Sequence, residues 1–188
     1  MTIHDFDDLR LEPAVVVREW DDGNITRYPE SHYLDFVVNG VSLLEVASVT
    51  NDASLITPLN RAWIDAVPGE IDYLLGTTPN PELASDRIMV LVCSVCGDLG
   101  CGAVTARMVI DAERVVWTDW RWETNYDEPS SFDGLPSEMV FDRPSYETVI
   151  HTVAERLGAF PYDELAHRGR RFLWPWQWGW RMPAQPPE

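Results

Sequence analysis

Short apolar blocks and alternating stretches dominate the chain, the pattern of half-buried and fully buried strands. Residues 14–20 predict a strand, 21–24 a turn and 25–28 a returning strand. Residues 33–38 and 41–46 flank Asn39-Gly40, a two-residue loop in which both positions tolerate positive φ. This predicts a hairpin pairing Val38 with Val41 and Phe36 with Leu43. Residues 61–67 read as a short helix stopped by Pro68, and 70–75 as one more helical turn or two ended by Gly76. Strands are expected at 87–95, 103–110 and 114–122. Residues 125–142, with Pro129, Gly134 and Pro136, read as a surface excursion.

Helical periodicity is clearest at 143–157. Tyr146, Val149, Ile150, Val153, Ala154 and Leu157 form one apolar stripe. Asp142 is the expected N-cap and Gly158 the left-handed stop. Glu147, His151 and Glu155 fall on the wet face. Together these elements predict an α+β fold, mainly antiparallel sheet with hairpins and a packed helix near 143–157. With 188 residues and no linker or repeat, one domain is expected over 1–188, with a frayed tail at 183–188.

Composition narrows the function classes. The apolar fraction is 45% and the formal net charge −17. All fourteen basic residues are arginine. So acidic a chain lacks the positive field that non-specific nucleic-acid binding needs, and it is a poor match for anionic lipid. A basic protein partner suits it better. The N-terminal segment carries no secretory signal pattern and no apolar run has membrane-spanning length. A cytoplasmic location, with reduced thiols, is the expectation.

Candidate chemistry concentrates in one place. Cys93, Cys96 and Cys101 all fall within nine residues, between two β-rich runs, with Gly97, Asp98, Gly100 and Gly102 supplying turn chemistry. A four-residue loop at 97–100 would set Cys96 opposite Cys101. Strand alternation would place Cys93 on the other face of the sheet, leaving no common point for an ion. Three readings stay open. The cysteines pack as small apolar residues; they form half of a zinc site, completed by His4, His32, His151 or His167; or they cycle between thiol and disulfide.

The run Cys96-Gly-Asp-Leu-Gly-Cys101-Gly, with Val115-Val-Trp-Thr-Asp-Trp120 downstream, resembles an uncharacterised bacterial protein group. That group shares a Cys-Gly-x-x-Gly-Cys hairpin and a Val-x-Trp-x-Asp-aromatic strand, and some members are labelled oxidoreductases. The resemblance spans roughly residues 88–122 and implies no catalytic residue. No Gly-x-Gly-x-x-Gly fingerprint supports a nucleotide cofactor.

Tryptophan is abundant, at nine residues. Strand parity would separate Trp117 from Trp120 and Trp122. Trp174, Trp176, Trp178 and Trp180 follow Arg168, Arg170 and Arg171, a combination enriched at binding hot spots and a candidate set of interaction anchors. No catalytic triad, phosphate loop or zinc-protease helix occurs. The sequence therefore favours a soluble acidic protein-interaction module, such as an inhibitor or immunity-type partner of a basic protein, with no catalytic residues and no cofactor. The alternative is a thiol-dependent oxidoreductase or zinc-binding protein centred on the cysteines.

Overall fold

The structure is a computed structural model that describes residues 6–17, 19–21, 25–27, 29–48 and 54–164. Within these residues it is an α+β fold built on antiparallel pairing. Strand β1 (Leu9–Val16) pairs with β4 (Ser31–Val38) from Leu9↔Val38 to Val16↔Ser31. Pro13 is accommodated because β1 is an edge strand, where the missing amide breaks no ladder. Between these two in sequence, β2 (Glu19–Asp21) and β3 (Ile25–Arg27) make a separate ribbon.

The Asn39-Gly40 hairpin forms as the dipeptide predicts, with φ of 52° and 79°. Its second arm is shorter than expected. Strand β5 is only Val41–Ser42, and Val38↔Val41 is the last predicted pair that holds. From Leu43 the chain becomes helix α1 (Leu43–Ser48). The Ser42 hydroxyl accepts the Glu45 amide at 3.1 Å, a cap that turns a helix-favouring Leu-Leu-Glu-Val-Ala run away from the sheet.

A larger sheet carries the rest. Strand β6 (Leu55–Ile56) pairs with β7 (Arg87–Cys93), β7 with β8 (Ala103–Ile110), and β8 with β9 (Arg114–Glu123). Two strands share the far side of β9: β10 (Ser130–Ser131) and β11 (Glu138–Asp142). Residues 125–142 are therefore not all surface loop. Met139 and Phe141 alternate inward from β11 and are buried.

Pro68 opens a helix where a stop was expected. It lies at the first turn of α2 (Val67–Leu74), where its missing N–H costs nothing. The predicted 61–67 helix shrinks to a 3-10 turn at Arg61–Trp63, capped by the Asn60 side chain. The 143–157 stripe is split at Thr152 into α3 (Arg143–His151) and α4 (Val153–Gly158). Asp142 caps α3 through the Ser145 amide at 3.0 Å. Gly158 stays inside the last turn, and the terminal residue Ala159 has an ordinary φ of −80°, so no left-handed stop is used.

The two sheets and the helices share one core. Trp117 is fully buried and meets the rings of Phe36, Trp120, Phe141 and Tyr146 edge-on, at 5.2 to 6.4 Å. Strand parity fails here. Asp119 takes φ 50° at a bulge where the β8–β9 register jumps between Thr105 and Arg107. The extra residue turns Trp120 to the same side as Trp117. Arg87 reaches under the bulge, donating to Asp119 and Thr105 and pairing with Glu123, which is also buried. Buried guanidinium and bulge thus hold each other in place.

Candidate functional site

The site begins where β7 ends. Residues 88–92 are all buried, and the last pairs to β6 are Ile56↔Val92 and Leu55↔Cys93. Past Cys93 one more contact in the same register, Ser94 with Ser54, precedes the turn. The Ser94 amide donates to the Ser54 carbonyl at 2.9 Å and the two serine hydroxyls meet at 2.8 Å. Residues 94–96 form a turn closed by the Gly97 amide on the Cys93 carbonyl, also at 2.9 Å. Gly97 sits at φ 67°, the left-handed region that lets the chain leave the turn.

A second small turn follows at once. Asp98 caps a 3-10 turn, Leu99–Cys101, through the Gly100 amide at 2.5 Å. Leu99 is buried with Met89, Val92 and Ala103, with Trp63 and Leu83 packed around them. That apolar anchor pins the loop from below. Gly102, at φ 94°, then returns the chain to β8 beneath the Trp122 ring.

The consequence corrects the expectation that the sulfurs divide between two faces. Cys93, Cys96 and Cys101 converge, with their Sγ atoms all within 4.8 Å of one another. Face alternation holds only while the chain is a strand, and here the strand ends at Cys93. The tight turn then folds Cys96 back over it. The expected proximity of Cys96 and Cys101 is present, with sulfurs 3.4 Å apart and no disulfide. Cys93 is half-buried, and the other two are exposed.

Electrostatics separates the three. Burial opposes ionisation of Cys93, but the amides of Cys96 and Val95 point at its sulfur and the two neighbouring thiols donate to it. The balance lowers its pKa below the usual thiol range. Burial pushes Cys96 up to about 12, and the neighbouring sulfurs add to this against the opposing Asp98 amide. Of these two thiols, Cys93 is the one that ionises more readily.

The geometry suits a soft cation. Zinc–sulfur bonds of about 2.3 Å in a tetrahedron place sulfurs about 3.8 Å apart, so the cluster needs only small side-chain adjustments to close on an ion. Among the described residues, no histidine or carboxylate joins the three sulfurs as a fourth ligand. His32 lies on β4 with its ring 5.9 Å from Phe160, and His151 is exposed at the end of α3. His4 and His167 lie outside the described residues, as do the anchors Arg168, Arg170, Arg171, Trp174, Trp176, Trp178 and Trp180 and the tail at 183–188.

A cavity of about 300 Å³ adjoins the cluster, lined among others by Cys96, Gly97, Trp63, Asp65 and Glu70. Neither Trp63 nor Glu70 is marked by its sequence neighbourhood. Pro68 at the start of α2 was the available signal, because it dates the helix that presents Glu70. No protein family, curated protein or solved structure matches the chain. No helix among the described residues is long and apolar enough to cross a membrane.

Proposed function

We propose that this is a zinc-binding protein whose ion is held by Cys93, Cys96 and Cys101, with one coordination position left to water or an incoming ligand. The observation that carries the reading is the convergence of three sulfurs on one point at the end of β7. Thiolate donors select zinc over hard cations, and three protein ligands with an open fourth position are the arrangement of catalytic zinc sites. The backbone amides around Cys93 add a preformed preference for the anion that a metal ligand must be. A dication would also offset the burial that, with the neighbouring sulfurs, raises the Cys96 pKa.

The interaction-module reading draws on the charge of −17. It offers no account of three sulfurs brought together by two consecutive turns, so the metal reading is preferred.

The test is elemental analysis of the full chain purified without chelator, followed by cobalt substitution. About one ion per chain, with the intense near-ultraviolet charge-transfer band of cobalt–thiolate ligation, is the expected result. Cys93→Ser, Cys96→Ser and Cys101→Ser should each lower retention by at least about tenfold. A folded protein that takes up neither metal would overturn the proposal.

A further inference from the structure

The cavity beside the cluster has an unusual set of walls. Trp63 supplies an aromatic surface whose benzo ring rests on Gly97, and Met89 and Cys96 add polarisable sulfur. Glu70, in the first turn of α2, and Asp65 supply carboxylates. Among the described residues neither carboxylate has an ion-pair partner. Arg61, the basic residue on the same 3-10 turn as Trp63, is directed elsewhere, over the Tyr162 ring at 4.7 Å.

We infer that this cavity binds a small organic cation, an ammonium or amidinium group carried on a compact apolar body. An aromatic face and a desolvated carboxylate recognise the same charge by two independent terms, ring quadrupole and Coulomb attraction. The apolar remainder of the walls matches the body that carries the charge. An anionic ligand would meet Glu70 and Asp65, and a neutral one would leave the half-buried Glu70 uncompensated. Burial, with Glu82 as a second cause, raises the Glu70 carboxyl to about 7, and a bound cation would relieve both effects. The inference goes beyond the metal reading, because it uses Cys96 only as a wall.

Calorimetric titration of the full chain with benzyltrimethylammonium tests it, at about pH 8 so that Glu70 is ionised. Saturable binding is expected, with neutral benzyl alcohol and anionic benzoate at least about tenfold weaker. Glu70→Gln should weaken the cation by a similar factor while leaving zinc content unchanged. Because Trp63 also supports Gly97, Trp63→Phe is the companion variant; it keeps a ring and should retain part of the affinity. No saturation up to about 10 mM, equal binding of benzyl alcohol, or an unaltered Glu70→Gln variant would overturn the inference. Zinc content measured on the same samples separates the two proposals. Zinc without cation binding sinks this one, and cation binding without zinc sinks only the metal site.

Discussion

The indole of Trp122 lies across Gly102, so closely that a Cβ on that glycine would fall 2.0 Å from Cζ2. Gly102 also holds φ 94°, which side chains rarely adopt. This one contact closes the cysteine loop onto β9. Gly102→Ala should push either the ring or the loop aside, at a cost of about 2–4 kcal/mol. The check is equilibrium denaturation alongside zinc retention. Both should fall, and unchanged retention would mean the loop holds its shape without the indole.

Leu99 is the second fastening. It is buried beneath the 3-10 turn that carries Cys101. Leu99→Ala should destabilise the protein by about 2–4 kcal/mol without directly altering the chemistry of any of the three sulfurs. The informative readout is thiol modification rate, expected to rise for Cys101 as the turn loosens.

Glu70 predicts a pH effect with a definite sign. Its folded pKa, about 7, lies above the ordinary 4.5, because burial, and then Glu82, penalise the charged form. The folded state therefore binds the extra proton. Its contribution is fully present below about pH 4.5 and is lost as pH rises through about 7. The full shift corresponds to about 3 kcal/mol, and partial exposure reduces this to about 1–2 kcal/mol. In chelator, Glu70→Gln and wild type should be about equally stable near pH 4, and the variant should be the more stable near pH 8. Parallel stability curves for the two proteins would contradict this.

Arg87 sits almost wholly inside the protein, against Glu123 and Asp119. Removing it leaves a buried carboxylate uncompensated. Arg87→Ala should cost about 3–5 kcal/mol, and Glu123→Gln in the same background should recover part of that. Chemical denaturation of the four proteins in the cycle measures the coupling. Additive losses would show that the two groups do not act together.

Much of the fold is legible along the chain because its signals are local. Asn39-Gly40 needs only its own two φ angles to specify the hairpin, and Asp142 needs only an amide three residues on to cap α3. Strand β8 occupies the predicted span, 103–110, because an uninterrupted apolar run lies between two turns. The misreadings share a different cause. The 41–46 segment could pair as strand or coil as helix, and a cap at Ser42 decided for helix. Trp120 follows strand parity only if no residue is inserted, and Asp119 is inserted.

Three thiols within nine residues, with Gly97, Asp98, Gly100 and Gly102 supplying turn chemistry between them, are readable from the chain alone. Those are properties of neighbouring residues, set by φ preferences and by a side chain capping a nearby amide. That the sulfurs meet follows from contacts between distant segments. Strand β7 ends where its pairing with the 54–56 segment, some forty residues upstream, gives way to the turn closed by the Gly97 amide on the Cys93 carbonyl, and Leu99 finds a buried seat on Met89 and Val92. The cavity beside the sulfurs is equally long-range, since α2 brings Glu70 toward Cys96 across a gap of twenty-six residues. Where a strand ends and what packs beside it depend on partners distant in sequence, and no local pattern encodes them.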